Sequence, residues 1–311
     1  MSSKINSDVD RPETLAEHIN DRVHVGGDPA VFKWKHKPDA SSFDDSKALS
    51  IIRAAILEQH GDPQQLRNTA AQLANLLPVG QSIDALSSLW RLFISLAQQT
   101  PASNVALLNL VVILDQLSGS PRTTTTVNID GFEQYSRLHG LNQMIKDHMI
   151  SPYISAEATE TLTRWINLNA FASLLWSYNL IDGRDYAIQQ LRSAFEDRNS
   201  SDVNDKDAAD ARLMAAAQWA IHSCHRLYYL SIKAEATSPG RNGANVRSDD
   251  KRWKPGPRFK GQAGFSFRRW EFWQQAFEEA QEFGNGGIEA KIEAGAASGM
   301  MEKVLYAGFE V

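Results

Sequence analysis

The chain has 311 residues, 42% of them hydrophobic, and a net charge of −5, enough apolar mass for a core in one large domain or two smaller ones. Its single cysteine, Cys224, excludes an intramolecular disulfide framework and fits a reducing compartment. Polar Met1–Asp10 offers no secretory leader, and the longest apolar run, Val105–Leu114 with Asn109 inside it, is about half the ~20 residues that span a bilayer.

Residues 1–41 are polar and irregular and read as a flexible N-terminal arm, with Val31, Phe32 and Trp34 as candidate anchors. After Ser42, Leu49, Ile52 and Ile56 recur at helical spacing, with Asp44 and Asp45 in the first turn where the helix dipole favours acids. Pro63 suits a first helical turn, Leu66, Ala70, Leu73 and Leu77 share a face, and Pro78 stops that helix. Ser82 opens the next helix, carrying Ile83, Leu86, Trp90, Phe93 and Ala97. Pro101 is expected to start another, apolar nearly all round through Leu117 and therefore central. Thr123–Val127 is β-branched, but five residues between Pro121 and Gly131 read as a loop or an isolated extended piece.

The second half continues in helices. Ser155, Glu157 and Glu160 begin a long one with Leu162, Trp165, Ile166, Asn169, Phe171 and Leu175, broken at Asp182-Gly183. Tyr186, Leu191, Ala194 and Phe195 mark the next, and Asn199–Asp207 reads as an acidic loop. Ala208–Lys233 is rich in alanine and long side chains, strong helix formers. Ser238–Lys254 reads as a linker. Two last helices, near 266–283 and 288–306, flank Gly284-Asn-Gly-Gly287. The fold expected is all-α, about ten helices in an irregular bundle or stacked pairs with no significant sheet. Residues 42–311 would form one helical domain with a basic Pro/Gly-rich surface loop near 238–265.

Several chemistries fail on their residue requirements. A terpene-cyclase site needs a third acid after a paired aspartate, but Asp44-Asp45 is followed by Ser46-Lys47 and Asp249-Asp250 by Lys251-Arg252. Di-iron bundles need Glu-x-x-His on two helices, a spacing absent here. Gly284-Asn-Gly-Gly-Ile288 could offer amides to an anion, yet it follows a helix where a dinucleotide fingerprint follows a strand, so a hinge is the better reading. Tyr229 and Lys233 have a dehydrogenase spacing without a Rossmann framework, and no Gly-x-Ser-x-Gly elbow occurs. No catalytic residue, cofactor or metal is therefore assigned.

Two constellations remain. His222 and His225, three apart on one helix face beside Cys224, could serve as acid–base groups or start a metal site needing ligands from elsewhere, such as His139 or His148. With Asn169, Gln218, Trp165, Trp219 and Trp270 they could line a pocket between helices; plain core is the competing reading for the indoles. The segment from Arg241 to Arg269 holds nine Lys/Arg against Asp249 and Asp250, with Trp253, Phe259, Phe265 and Phe267 interleaved. Arg252, Lys254, Arg258, Lys260, Arg268 and Arg269 could face an anion or a protein partner. The competing reading lays the strip on the molecule's own acidic surface while its rings plug the core. An isolated strip in an acidic chain argues against nucleic acid.

Three blocks carry a resemblance over roughly residues 80–305. They are Trp165-Ile-Asn-Leu-Asn-Ala-Phe-Ala-Ser-Leu-Leu175 with Tyr186-Ala-Ile-Gln-Gln-Leu-Arg-Ser-Ala-Phe-Glu196; Ala215-Ala-Ala-Gln-Trp-Ala-Ile221; and Gly256-Pro-Arg-Phe-Lys-Gly261 leading to Gly264-Phe-Ser-Phe-Arg-Arg-Trp-Glu-Phe-Trp273. In these the chain resembles the fungal family catalogued as domain of unknown function 3632. Phe259 stands where that family usually has Trp, and Leu174 where Arg is common. The resemblance implies a mostly helical intracellular protein with no established catalytic residues, in a family whose genes can lie near secondary-metabolite genes. The function expected is a non-catalytic interaction, regulatory or pathway-accessory protein, cytoplasmic with the nucleus as the other location. The alternative is a small-molecule-binding protein or secondary-metabolism enzyme using an aromatic pocket.

Overall fold

A computed structural model describes residues 43–57, 62–80, 82–129, 132–149, 158–197, 206–236 and 253–307. The expected arm at 1–41, most of the expected loop at 199–207, the linker as far as residue 252, and Arg252 itself lie outside the described residues. The expected all-α architecture holds: ten helices and one small hairpin are present among them.

The first helices start where capping chemistry allows. Helix α1 spans Asp45–Leu57. Helix α2, Pro63–Leu76, has Pro63 in its first turn, where no N–H is needed, and the Asp62 carboxylate accepts from the Gln64 N–H. Helix α3, Ile83–Gln99, is capped by Ser82 Oγ accepting from the Ala85 N–H. Helix α4 is Val105–Leu117 and does not begin at Pro101: the Asn104 side chain accepts from the Ala106 N–H and sets the start at Val105, the first residue of the apolar run. Its Leu107, Leu110, Val111, Ile113 and Leu114 are all fully enclosed, by α1, α2, α3 and the helix α6 introduced below.

Thr123–Val127 is not an isolated piece. Strands β1, Thr125–Ile129, and β2, Phe132–Ser136, pair antiparallel with Ile129 opposite Phe132. Asp130-Gly131 between them is a strong hairpin signal, which the β-branched composition alone does not supply. Helix α5, Leu141–His148, follows; it was not expected from the sequence and buries Leu141 and Ile145 beside α3.

Helix α6, Ala158–Ser177, and α7, Arg184–Phe195, precede the long α8, Lys206–Ala236. Helix α8 therefore starts within the stretch expected to be loop. It packs against α6, α7, α9 (Phe267–Glu282) and α10 (Ile288–Ala307) and is the axis of the C-terminal half. Encirclement explains its composition: Ala215, Ala216, Ala217 and Ala220 are all fully enclosed, because small side chains let four neighbours approach one helix. At Ser223 the backbone leaves helical geometry (φ −121°, ψ 21°). There the Ser223 hydroxyl donates to the Ser173 carbonyl at 2.7 Å and accepts from Ser173 Oγ at 3.1 Å, so the kink is tied to α6.

Candidate functional site

The indoles form packed core. Trp219 Nε1 donates to Asn169 Oδ1 at 2.9 Å, and Asn169 Nδ2 donates to the Trp165 carbonyl one turn back. That satisfies an amide with no exposed surface, whose isolation would cost about 1–3 kcal/mol. Trp219 also meets Trp176 and Tyr186 at centroid distances of 6.0 and 6.2 Å, and Trp270 meets Tyr228 edge-on at 5.4 Å. Asn167 ties α6 to the end of α3 through the Gln98 carbonyl and the Ala102 N–H. Gln218 faces α10 and donates to Glu293 at 3.0 Å.

The two histidines sit in different surroundings. The ring of His222 is largely enclosed, and burial pushes its pKa down to about 4; His225 is exposed. Burial pushes the Cys224 thiol up to about 12, leaving it the protonated, unreactive form. Among the described residues no three His, Cys, Asp or Glu side chains gather as a metal site requires. Two surface cavities, of about 1000 and 460 Å³, are lined by neither His222 nor His225, nor by Asn169, Trp165, Trp219 or Trp270.

The Gly287 amide of the Gly284–Gly287 segment already holds an anion, and it is internal. Asp210 on α8 accepts from the Gly287 N–H at 2.8 Å at the start of α10. A Cβ on Gly286 or Gly287 would come within 2.9 Å of the Asp210 carboxylate. One backbone amide at a helix N-terminus thus joins α8 to α10.

The basic strip is where burial and charge are both unusual. Residues 253–266 lie on the end of α7, organised by Glu196, which has no exposed surface. Glu196 Oε1 accepts from Arg269 Nε at 2.7 Å and from Trp273 Nε1 at 2.9 Å. Its Oε2 accepts from Arg269 Nη2 at 2.9 Å and from the Gly256 N–H at 2.8 Å, and its backbone carbonyl accepts from the Arg258 N–H. Arg269 spends Nη1 on the Trp253 and Gly264 carbonyls. Its guanidinium lies 5.2 and 5.6 Å from the Trp273 and Phe259 ring centres. The carboxylate accepts four hydrogen bonds and the guanidinium donates four, which is how two charges are enclosed at tolerable cost.

The loop is consequently anchored along its length. Trp253 Nε1 donates to Asp185 on α7 at 2.8 Å, Phe259 is buried against Phe272, and Phe265 meets Trp253 and Trp273 edge-on. Gly256 is required by contact: a Cβ there would lie 2.7 Å from Glu196 backbone and side-chain atoms. Gly264 has φ +87°, a left-handed conformation that suits glycine.

This corrects one sequence assignment. Arg269, expected on a partner surface, has no exposed surface at all, because it neutralises Glu196. Lys254, Arg258, Lys260 and Arg268 are exposed on the docked loop and the first turn of α9. Glu196 was missed: a lone glutamate at a helix end looks solvated, and its partner lies 73 residues away. Arg258 also borders the larger cavity, which runs between α7, α8, α9 and Gly284–Gly286 past Asp210, Phe272 and Phe283.

A family model described as "Protein of unknown function (DUF3632)" matches residues 90–277. Most of α3, helices α4 to α8, Glu196, the docked loop and most of α9 fall inside that span, and the chain belongs to this family. No curated protein and no solved structure matches it. No described helix is long and apolar enough to cross a membrane.

Proposed function

We propose that this is a non-catalytic interaction protein that presents its rigid basic loop to an acidic protein partner, in a regulatory or pathway-accessory role. The observation that supports it is the contrast between Arg269 and its neighbours. One arginine of the strip is consumed in holding the loop, while Lys254, Arg258, Lys260 and Arg268 point outward from a backbone fixed at Glu196. Fixing the backbone beforehand lowers the ordering cost of binding, which a loose basic linker would have to meet. Four cations on a chain of net −5 steer an acidic protein surface and make a small footprint for nucleic acid. The acid–base alternative is disfavoured by the packing around Trp219 and Asn169 and by the contrast between enclosed His222 and exposed His225. A cytoplasmic setting fits the buried thiol of Cys224.

The test pairs the native chain with a variant carrying Lys254→Glu, Arg258→Glu, Lys260→Glu and Arg268→Glu. Proteins captured from an extract by the first and lost by the second are purified and titrated against both. The expected result is an acidic partner whose Kd rises at least about tenfold in the variant and rises with salt. Equal capture by both chains, with a large thermal shift of the native chain in a metabolite pool, would overturn the reading in favour of a small ligand.

A further inference from the structure

The smaller cavity, about 460 Å³, opens where the ends of β2 and α6, the starts of α5 and α7, and α8 beyond its kink come together. None of the loop's cations lines it. Its charged lining is Arg137, Arg184 and Arg226 against Asp182 alone. Asp182 is taken by Arg184, whose Nε and Nη2 donate to it at 2.8 and 2.5 Å. Arg226 donates through Nε and Nη2 to the Ser177 carbonyl at 3.3 and 3.2 Å, and Nη1 reaches Asn179 Oδ1 at 3.4 Å. These acceptors cap the end of α6 without supplying a carboxylate, and burial lowers the Arg226 pKa. The Arg137 side chain has no hydrogen bond or ion pair among the described residues. Just outside the lining, Asp185 also acts on Arg184, and Lys233 over the Tyr229 ring offsets it. His225 beside Arg226 adds no charge at pH 7, because burial and Arg226 hold its pKa below 6.5. The excess of two positive charges therefore stands. The backbone is unusual here as well. Leu138 and Asn179, the two non-glycine residues with left-handed φ among the described residues, adjoin Arg137 and line the cavity respectively. Such conformations gather at ligand sites.

We propose that this cavity binds a phosphate monoester carried on a small ring, with Arg137 and Arg226 holding the phosphate and Tyr229 covering the ring. Charge sets the chemical class. Two arginines without carboxylates match the charge of about −1.5 to −2 that a phosphate monoester has at pH 7. A carboxylate or a sulfate ester would leave one of them unmatched. The guanidinium fork fits phosphate oxygens in pairs, and the lining amides of Asn142 and Asn179 add donors of the right kind. Asn179 spends its oxygen on Arg226, which leaves its NH₂ to donate. Size sets the remainder of the ligand. A volume of about 460 Å³ lies within the roughly 300–1,000 Å³ of small-molecule sites and leaves room beyond the phosphate. Leu180, Leu230 and the Tyr229 ring line that room. Tyr229 is 56% exposed, so its ring has a face free for a flat apolar group.

Titration calorimetry of the full chain at neutral pH tests this with phenyl phosphate, phenyl sulfate (the same shape with less charge) and inorganic phosphate. Phenyl phosphate is expected to bind with a Kd of about 0.1–1 mM. It should bind at least about fivefold tighter than phenyl sulfate, through its extra charge, and than inorganic phosphate, through its ring. Arg137→Ala weakens phenyl phosphate about tenfold. Arg226→Lys keeps the charge but loses the fork, and weakens it about fivefold. Tyr229→Ala abolishes the advantage over inorganic phosphate and leaves inorganic phosphate unchanged. Lys260→Ala, on the loop, alters none of the three. Thermal melts confirm that each variant is folded. No binding of phenyl phosphate up to about 10 mM, well above the expected Kd, overturns the proposal. Equal affinity for phenyl phosphate and phenyl sulfate refutes the dianion. Binding that survives Arg137→Ala intact but falls in Lys260→Ala belongs to the loop and refutes the cavity.

Discussion

Glu196 carries a charge in a place where water cannot reach it, and it is tolerated because five hydrogen-bond donors converge on its carboxylate and carbonyl. Removing one partner is therefore worse than never having built the pair. Arg269→Ala leaves a buried, partly unpaired carboxylate and should cost about 3–5 kcal/mol in chemical denaturation, as breaking a buried pair does. The exposed neighbour, Arg268→Ala, should leave the midpoint almost unchanged. Similar losses from both substitutions would mean that the pair does not hold the loop. His222 gives a second residue-scale prediction, with a definite sign. Its folded pKa of about 4 lies below its ordinary 6.5, so between those values the unfolded chain holds the extra proton. Its contribution is present above pH 6.5 and disappears as pH falls through 4, a loss on the order of 3 kcal/mol. Burial raises the Glu293 pKa from 4.5, giving the opposite slope: that contribution is present below 4.5 and is lost as pH rises through the raised value. Denaturation from pH 4 to 7 of His222→Gln and Glu293→Gln separates the two. The first variant should lose less stability on acidification than the native chain.

Elements with local signals were legible, and elements defined by distant partners were not. Asp62-Pro63, Ser82 and the glycines at 284–287 mark helix ends by chemistry confined to a few residues, and the helices begin or stop there. Asn104 was overlooked because the proline before it also suits a helix start. Helix α5 has eight residues, so its apolar pattern of Leu141, Met144 and Ile145 spans little more than one turn, and it depends on packing beside α3. The hairpin was announced by Asp130-Gly131 and lost to a composition argument. The kink at Ser223 has no local cause: neither glycine nor proline is present, and the distortion follows a hydroxyl pair with Ser173, 50 residues away. For the candidate site, the strip's attachment to its own body was readable from rings and charge, but which cation would be consumed was not. That choice depends on where Glu196 comes to lie. The loop's dependence on close approach is testable through Gly256→Ala. Its new methyl meets Glu196 backbone, which cannot move aside like a flexible side chain. Amide hydrogen exchange should show faster exchange at Arg258 and Gly264, whose N–H groups bond Glu196 and Trp253, while α1 to α4 stay protected. Unchanged protection at those two amides would show that the loop holds without the close contact.

At the scale of the molecule, α8 is surrounded through its alanine-rich middle, with His225 and Tyr229 left outside further along. Its neighbours α6, α7, α9 and α10 are drawn from both before and after the basic strip, so the C-terminal fifth of the chain is part of the core and not an appendage. Trp270, Trp273 and Phe277 on α9 have no exposed surface, nor do Ala294, Ala297 and Met301 on α10. A chain ending at residue 252 would expose Trp219's helix along two faces and leave Glu196 without Arg269, Trp273 or the Gly256 amide. Burying an aromatic side chain is worth roughly 1.5–3 kcal/mol, and the whole stability of a domain is about 5–15 kcal/mol. Loss of three enclosed aromatics together with the ion pair is therefore of the same order as the whole stability of a domain. Calorimetry should give the intact chain one cooperative transition across α1 to α10, and the shortened chain none. A shortened chain that still melts sharply, with a heat in proportion to its length, would show that α1 to α8 fold alone and that the docked loop is an attachment to a finished structure.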